Sequence, residues 1–369
     1  VMQLRSFSTI AVIQTAFLGD AALSLFLVEQ LREANPQARI IVVTTPAAAA
    51  LMRHAASVDE GVIYDKRGAD AGVAGILRMT RQLRRLRVDL VFGLQRSVRT
   101  SLVAALCGAR MSIGFANAAA SVLFDCRLPW GLHGQETERT RTMLRLFSDA
   151  AEIAVPCTVR FMDTPYSSET RQTSTSPEPA IPQPTMTAPI HRGRIVLAPG
   201  SVWATKRWPE GSWIALASAL VQEGYAVELL GGPDDHALCT CIAHAAGAYC
   251  PSSPTALPHS LLRLRAADVL VTNDSAPTHL AALVGTRTVT IFGSTVPGFG
   301  FGPRGPRDAV VENTEASCRP CGRHGRTSCP LGTMVCMTGI SVQTVLNVVR
   351  DDRAMGAENF PVIAPAADR

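Results

Sequence analysis

The chain begins with an alternation of short apolar runs and a longer segment of helical spacing. Runs at Ile10–Gln14, Ile40–Thr44 and Val88–Gly93 are short and rich in β-branched residues, which predicts buried strands. Between the first two runs, Ala21–Ala34 has the apolar spacing of a helix. Strands that alternate with helices are typical of βαβ units, so this part predicts a parallel sheet covered by helices.

The same alternation starts again in the second half of the chain. Helices are predicted over Ser212–Glu223 and Ala276–Leu283, between four apolar runs that predict strands: Arg194–Ala198, Ala226–Leu230, Ala267–Thr272 and Arg287–Phe292. The chain is therefore predicted to be an α/β protein with two parallel sheets. Ligands of such sheets bind beyond the carboxyl ends of the strands, so the binding and catalytic residues are expected in the loops at these ends.

A polar segment separates the two patterns. Residues 163–192 contain 16 Ser, Thr or Pro residues, a composition that cannot bury a core and predicts a flexible linker. The predicted organisation is an N-terminal domain over 1–162, this linker, a C-terminal domain over 193–345 and a tail over 346–369.

Composition narrows the classes of function. With 369 residues, 47% apolar and 18% charged, the chain has material for two cores and is not wholly disordered. Aromatic residues make up only 5%, which argues against a stacking platform for single-stranded nucleic acid, and we expect no nucleic-acid partner. The net charge of +5 favours anionic ligands, and among 35 basic residues only Lys66 and Lys206 are lysines.

The most apolar stretch near the start, residues 9–28, is long enough for a membrane helix. Gln14, Gly19 and Asp20 lie inside it, however, and a central Asp is costly in lipid. A buried strand, a tight turn at Gly19–Asp20 and a helix are the better interpretation. Because the start of the sequence shows no export signal, we expect a cytoplasmic protein whose ten cysteines are thiols or metal ligands.

Asp20 is the first candidate for chemistry. It lies near the start of the first predicted helix, where a carboxylate stabilises the helix by about 1 kcal/mol. It also follows the carboxyl end of the first predicted strand. A helix-capping carboxylate and a general base at the cleft are therefore both open alternatives for Asp20.

The loop after the strand Arg194–Ala198 has the composition of a phosphate site. Ser201 and Thr205 can donate hydrogen bonds, and Lys206 supplies a positive charge. The spacing is not that of a P-loop. A solvated basic loop is the alternative.

The loop after the strand Ala267–Thr272 leads into a helix with Pro277 in its first turn. The free N–H groups at the start of this helix form an anion site, and Asp274 can accept hydrogen bonds from sugar hydroxyls. A carboxylate that merely stabilises the helix is the alternative for Asp274. His279, one turn into the helix, is either a ligand contact or a structural donor.

Two further groups of residues at strand ends are candidate ligand contacts, with less specific sequence signals. Gly232 and Asp234 follow a predicted strand and suit either nucleoside binding or a simple turn. Arg96 and Arg99 follow another strand and are predicted to face the cleft, whereas the Arg-rich helix around residues 78–87 is a solvated face or a contact with an anionic membrane surface.

Four cysteines lie close together near the end of the second pattern: Cys318, Cys321, Cys329 and Cys336. The spacing of the first pair is typical of metal-binding turns, which favours a tetrahedral Zn or Fe site. Reduced thiols and a disulfide remain alternatives.

Several short motifs occur along the chain in a specific order. They are Gly19-Asp20, Leu94-Gln95-Arg96-Ser97, Pro199-Gly200-Ser201, Lys206-Arg207-Trp208-Pro209, Thr272-Asn273-Asp274-Ser275 with His279 and Ala281-Ala282, Cys318-Arg319-Pro320-Cys321, Cys329-Pro330 and Cys336-Met337. In this order they resemble the bacterial lipopolysaccharide heptosyltransferases of glycosyltransferase family 9, from Val12 to about Val345.

This resemblance implies a GT-B fold, in which two Rossmann-like domains face each other across a cleft. It implies an inverting transfer of heptose from ADP-heptose to the anionic inner core of lipopolysaccharide. Attachment to the inner membrane, if present, would be peripheral. Asp20 matches the family's general base, Lys206 a diphosphate contact with Ser201 and Thr205 nearby, and Asp274 a heptose contact. By the same resemblance, the backbone of Ser275 and Ala276 would contact the diphosphate. The transfer is expected to need no cofactor, so a metal at the cysteines would be structural.

Three alternatives compete with this interpretation. A Rossmann dehydrogenase needs a GxGxxG turn after the first strand, which the chain lacks. A GT-B enzyme with another nucleotide sugar or a protein acceptor, such as the autotransporter-type O-heptosyltransferases, is the closest rival. A non-catalytic scaffold is the third, although an intact Asp20 and Lys206 argue against it.

Overall fold

The computed structural model describes residues 2–130, 135–162 and 192–351. Apart from Arg192, the predicted linker over 163–192 lies outside the described residues, and so does most of the predicted tail. The described chain forms two parallel sheets, one of six strands and one of five, each with helices packed against it. This is the predicted two-sheet α/β arrangement.

The N-terminal sheet has the strand order 3-2-1-4-5-6, with every neighbouring pair parallel. Its strands are β1 (Thr9–Ile13), β2 (Arg39–Thr44), β3 (Glu60–Ile63), β4 (Leu90–Gly93), β5 (Met111–Phe115) and β6 (Cys126–Leu128). The helices of this part are α1 (Leu18–Ala34), α2 (Ala49–His54), α3 (Gly72–Arg85), α4 (Val98–Leu106) and α5 (Glu136–Arg141).

The C-terminal sheet has the order β11-β10-β9-β7-β8, again all parallel. Its strands are β7 (Arg194–Ala198), β8 (Ala226–Leu229), β9 (Val269–Asn273), β10 (Arg287–Phe292) and β11 (Ala309–Glu312). The helices are α6 (Glu210–Gln222), α7 (His236–Ala246), α8 (Leu257–Arg265), α9 (Ala276–Val284), α10 (Val335–Thr338) and α11 (Val342–Arg350).

The strand orders determine where ligands can bind. In each sheet the chain reverses its direction of travel once, between β1 and β4 and between β7 and β9. The loops that follow the two strands at such a reversal diverge and leave a crevice at the carboxyl edge. Asp20 and Arg96 follow β1 and β4, whereas Lys206 and Asp274 follow β7 and β9. The topology therefore gathers the strongest predicted candidates at the two crevices.

The two domains are held together by a shared apolar core. Helix α1 packs directly on α9, and α2 packs on α8. One cluster of buried side chains contains residues of both sheets and of these helices, such as Phe26, Leu31, Val196 and Leu283. Burial of this apolar surface stabilises the orientation of one sheet toward the other.

The predicted turn at Gly19–Asp20 is wrong. Helix α1 begins at Leu18, so both residues lie inside its first turn and Gly19 has no left-handed backbone. The glycine serves a close approach instead, because a Cβ at position 19 would lie 2.7 Å from His279 Cδ2 on α9. A side chain there would displace the His279 ring from its place between the two helices.

The ends of the predicted helices and strands agree with the structure to within three residues. The boundary of the C-terminal domain differs. The predicted C-terminal domain ends at residue 345, yet α11 runs to Arg350 and packs on α6. Residues 346–350 therefore belong to this domain and not to the tail. In the part of the chain that the structure describes, no helix combines the length and apolar character that crossing a bilayer requires.

Candidate active site

Asp20 both caps a helix and faces the space between the domains. Its Oδ2 accepts a hydrogen bond from the N–H of Phe17 at 3.3 Å, at the start of α1. The same residue lines a cavity of about 260 Å³ whose walls come from both domains, among them Arg96 and Phe301. A helix-capping carboxylate and a general base at the cleft, the two alternatives for Asp20, are therefore compatible with each other.

The surroundings of Asp20 change its acidity. Burial raises the pKa of its carboxyl above the ordinary value, while the hydrogen bond from Phe17 and the positive charges of Lys206 and Lys66 act in the opposite direction. Lys66 is held at this edge of the sheet because its Nζ donates a hydrogen bond to the carbonyl of Thr15. A carboxylate with a raised pKa accepts protons more readily than an ordinary aspartate.

Lys206 and Asp274 meet at the crevice of the C-terminal sheet. Their Nζ and Oδ2 atoms lie 2.5 Å apart, and the side chains are only 12% and 7% exposed. The hydroxyl of Thr295, which follows β10, donates to the same Oδ2 at 2.6 Å. Three loops of this sheet therefore converge on one buried carboxylate, and Thr295 is a site residue that the sequence analysis did not identify.

Ser201 and Thr205 lie beside Lys206 but already have partners. The hydroxyl of Thr205 is 2.9 Å from that of Ser294 and accepts a hydrogen bond from the N–H of Arg326 at 2.8 Å. Ser201 Oγ accepts one from the N–H of Trp203 at 3.4 Å. Both residues therefore shape the loop that carries Lys206, whatever ligand this loop binds.

The start of α9 is the second polar feature of this crevice. Ser275 occupies the N-cap position without a capping side-chain hydrogen bond, and Pro277 lies in the first turn as predicted. The N–H groups near Ala276 therefore point out of the helix toward the crevice, an arrangement that favours anions.

His279 is buried one turn into α9. Burial lowers the pKa of its imidazole to about 4, against the opposing effect of Asp274, so the ring is neutral at pH 7. It packs against Gly19 of α1 and against the ring of Phe301, 6.2 Å between centroids. These contacts favour the structural alternative for His279 over a charged ligand contact.

The loop after β8 contains two aspartates in different surroundings, and the predicted roles of Gly232 and Asp234 stay predictions. Gly232 and Asp234 are both exposed. Asp235 is the carboxylate that faces the phosphate-type loop, because a Cβ on Gly200 would lie 2.2 Å from its carboxyl group. Sequence reasoning named the neighbouring aspartate, since the direction of a side chain in a short turn is not visible in the sequence.

Arg96 and Arg99, the predicted acceptor contacts, take different positions. Arg96 lines the same cavity as Asp20, and its guanidinium lies 4.7 Å from the ring centroid of Trp130. Arg99 donates from Nη1 to the carbonyl of Lys66 at 3.0 Å and so supports the Lys66 loop. Of the two, Arg96 is the one placed to contact a ligand in this cavity.

Two residues of the N-terminal domain complete the cavity wall without having been predicted. Trp130 lines it, and so does Glu136, a buried carboxylate whose pKa is raised by burial and lowered by Arg139. Arg139 contacts Glu136 at 3.0 Å and donates to the carbonyl of Phe299 in the other domain at 3.0 Å. No motif points to these residues, since they come together only where the domains meet.

The four clustered cysteines are neighbours in space. One of them, Cys336, lies within electrostatic range of the other three, and all are free thiols, so the disulfide alternative is not observed. The N–H groups of Met334 and Leu331 lower the pKa of the Cys329 thiol, whereas burial raises the pKa of the Cys321 and Cys336 thiols. Within the described ranges, however, no three His, Cys, Asp or Glu side chains are arranged to hold a metal ion. Metal binding stays a prediction.

Comparison with known proteins identifies the family. The sequence profile of glycosyltransferase family 9 (heptosyltransferase) matches residues 76–330, more than half of the chain. The chain belongs to glycosyltransferase family 9. Lipopolysaccharide heptosyltransferase 2 of Escherichia coli (strain K12) is 25% identical over 305 residues, which cover 79% of this chain and 84% of that protein.

Solved structures share the fold of this family 9 protein. The E. coli ADP-heptose lipopolysaccharide heptosyltransferase II superposes with a TM-score of 0.68 at 23% identity, over 92% of this chain and 97% of the other. The E. coli heptosyltransferase WaaC with ADP superposes with a TM-score of 0.67 at 17% identity, over 93% of this chain and 99% of the other. The predicted family, GT-B fold and glycosyltransferase class are therefore confirmed, and the dehydrogenase and scaffold alternatives are set aside.

Proposed function

We propose that this family 9 enzyme transfers heptose from ADP-heptose to the inner core of lipopolysaccharide, with inversion at the anomeric carbon. The observation that carries the proposal is the pairing of sites across one cleft. Asp20 lines the cavity between the domains. The Lys206–Asp274 pair and the start of α9 lie at the crevice of the other sheet, and Lys206 is near enough to lower the pKa of Asp20. The names of the relatives, lipopolysaccharide heptosyltransferases, support the donor and the acceptor.

The donor is assigned to the C-terminal crevice. Its diphosphate would contact Lys206 and the N–H groups near Ala276, both of which stabilise negative charge. Asp274, now paired with Lys206, would turn to the heptose hydroxyls while Thr295 keeps hold of its Oδ2. E. coli WaaC has been solved with ADP-2-deoxy-2-fluoro heptose, which supports this class of donor.

Asp20 is assigned as the general base. It takes the proton from the attacking acceptor hydroxyl while the new bond forms between that oxygen and the anomeric carbon. The bond from this carbon to the diphosphate oxygen breaks, and ADP leaves with the electron pair. Lys206 and the start of α9 stabilise the charge that grows on the leaving group. ADP so stabilised is a good leaving group, so we expect this step to need no acid catalyst.

The experiment measures ADP release from ADP-heptose with a deacylated inner-core acceptor. The variants are Asp20→Asn and Asp20→Ala. Asparagine can still accept the hydrogen bond from Phe17 but cannot take a proton, so Asp20→Asn should lower kcat by about 10²–10⁴-fold at unchanged thermal stability. Alanine should also lose about 1 kcal/mol of capping. Full activity of Asp20→Asn would contradict the assignment of the base.

The same assay separates the alternatives. Release without acceptor indicates hydrolysis of the donor, and release that depends on a protein acceptor indicates an O-heptosyltransferase. Stabilisation by ADP without release from ADP-heptose indicates another nucleotide sugar. Acceptor-dependent transfer to the inner core is the expected outcome.

We also propose peripheral contact with the inner face of the inner membrane, where a lipid-linked acceptor is found. Five arginines on and just after α3 are exposed, which supports attraction to anionic lipid: Arg78, Arg81, Arg84, Arg85 and Arg87. Replacing Arg81 and Arg85 by Glu should weaken binding to vesicles that contain anionic lipid. Unchanged binding to these vesicles would contradict the membrane contact and indicate that the arginines of α3 only face solvent.

A further inference from the structure

Residues 322–328, called here the crossing segment, connect Cys321 to Cys329 in the C-terminal domain. Arg323 and His324 of this segment line the cavity that contains Asp20. The cavity wall of the N-terminal domain is therefore completed by residues of the other domain. The proposed catalysis does not use either residue.

The crossing segment is held closely on the loop that carries Lys206. The N–H of Thr205 donates to the carbonyl of Arg326 at 3.1 Å, and the N–H of Arg326 donates back to Thr205 Oγ1 at 2.8 Å. A Cβ on Gly325 would lie 2.3 Å from Trp203 Cβ and 3.1 Å from Lys206 Cγ. Only glycine permits this approach, so the backbone around Arg323 has a defined place.

Three guanidinium groups converge on one indole at this point. The ring centroid of Trp130 lies 4.7 Å from the guanidinium carbon of Arg96, 5.2 Å from that of Arg139 and 5.5 Å from that of Arg323. Glu136 contacts Arg139. The indole face attracts each cation, and the carboxylate of Glu136 also interacts electrostatically with Arg323. Arg96 and Arg323 both line the cavity, so an anion bound there is attracted by two guanidinium groups.

The chemistry of the cations indicates the kind of ligand. Guanidinium groups bind carboxylate and phosphate oxygens through paired hydrogen bonds. Arg96 and Arg323 share their cavity with Asp20, the proposed base, so an anion between them belongs to the molecule that presents its hydroxyl to Asp20. The donor diphosphate has its own cation in Lys206 on the other crevice.

We propose that Arg323, together with Arg96, binds an anionic group on the acceptor sugar, a carboxylate or a phosphate. This inference rests on the proposed transferase function and deepens it. The donor domain then takes part in acceptor recognition through the crossing segment. Acceptors that lack the anionic group are poor substrates for that reason.

The test compares Arg323→Gln with Arg265→Gln, which removes the same charge from an exposed position at the end of α8. Calorimetry measures binding of a deacylated inner-core acceptor, and kinetics measure the KM of acceptor and donor separately. We expect Arg323→Gln to weaken acceptor binding and raise the acceptor KM about tenfold. The donor KM and the stabilisation by ADP should not change, and Arg265→Gln should behave as wild type.

Two modified acceptors identify the anionic group. One has its carboxylates converted to methyl esters and the other has its phosphates removed. The modification that removes the bound group should lower affinity for wild type and abolish the difference between wild type and Arg323→Gln. A tenfold difference that persists with both acceptors overturns the proposal, as does an unchanged acceptor affinity of Arg323→Gln.

The outcome is separable from that of the proposed function. If the acceptor binds in an Arg323-dependent manner but ADP-heptose is not turned over, the anion site stands and the assigned donor fails. If heptose is transferred and Arg323→Gln matches wild type, the transferase stands and the anion site fails. Arg323→Lys, which keeps the charge without the paired donors, should recover only part of the affinity.

Discussion

The two crevices of this protein are built from the same topology but in different electrostatic states. In the C-terminal domain, Lys206 and Asp274 form a buried ion pair that Thr295 also contacts. In the N-terminal domain, the cavity cation Arg96 is half-buried and stacks on Trp130, near the carboxylate of Asp20. The N-terminal cavity has a buried ion pair as well, Glu136 with Arg139. The difference is that Lys206 is paired with a carboxylate, whereas Arg96 is stacked on an indole and lines the cavity.

This difference corresponds to the two substrates of a glycosyl transfer. A leaving group that gains charge in the transition state is stabilised best by dipoles and charges that are already in place. An acceptor must enter, align its hydroxyl and leave as product, which suits a wall made of half-buried stacked side chains. Variants in the two crevices should therefore affect different substrates.

The largest effect is expected from Lys206→Ala. It removes the cation assigned to the diphosphate and leaves the Asp274 carboxylate buried without its partner, so kcat/KM for the donor should fall by about 100-fold or more. Breaking a buried pair should also lower the free energy of unfolding by about 3–5 kcal/mol.

A smaller effect, on the other substrate, is expected from Arg96→Ala, which should raise the acceptor KM about tenfold. Equal effects of the two variants would remove the distinction between the crevices.

A smaller effect is expected from Thr295→Val. This variant deletes the hydroxyl that donates to Asp274, a hydrogen bond to a charged group worth about 1.5–3 kcal/mol. The donor kcat/KM should fall about tenfold while binding of ADP alone stays unchanged, since Asp274 is assigned to the sugar. Thr295→Ser should restore activity. A loss of ADP binding in Thr295→Val would instead indicate a general disturbance of the loop.

The pH dependence gives a more modest test of Asp20. A base acts deprotonated, so activity should fall as pH drops through the pKa of Asp20, which burial raises above the ordinary value of about 3.9. Lys66 opposes this rise, and Lys66→Gln should move the acid limb of kcat/KM to higher pH. A limb that stays in place or moves down would show that Lys66 does not act on the base.

The smallest effect on the donor side is expected from the cysteines. If they hold Zn or Fe, elemental analysis should find about one metal ion per chain, and Cys318→Ser with Cys321→Ser should remove it. Thermal stability should fall, and the acceptor KM should rise through the crossing segment while the donor KM changes little. Metal-free protein of unchanged stability would favour reduced thiols.

Local patterns predicted most of the fold because strands and helices have periodicities visible in a short window. Helix α9 (Ala276–Val284) begins one residue before Pro277 for a reason that is local, since proline suits a first helical turn. Gly19 shows the limit of such reasoning. A glycine before Asp20 suggested a turn, whereas its actual reason is the approach of His279 from the other domain.

The site divides in the same way. Asp20, Lys206 and Asp274 could be found because each follows a predicted strand, and parallel strands bring their carboxyl ends to one edge. Asp235, Thr295 and the pair of Trp130 with Arg323 could not, because they depend on the direction of a side chain in a turn or on contacts between distant parts of the chain.

The sequence by itself determined the two α/β patterns, the loops that carry the chemistry and the family to which they belong. The tertiary structure decided which carboxylate pairs with the ammonium of Lys206, why residue 19 has no side chain and how the crossing segment brings Arg323 to Trp130. The physical reason is the distance along the chain over which each interaction acts. Periodicity and loop composition act between near neighbours, whereas burial, charge pairing and close approach depend on how two finished domains pack together.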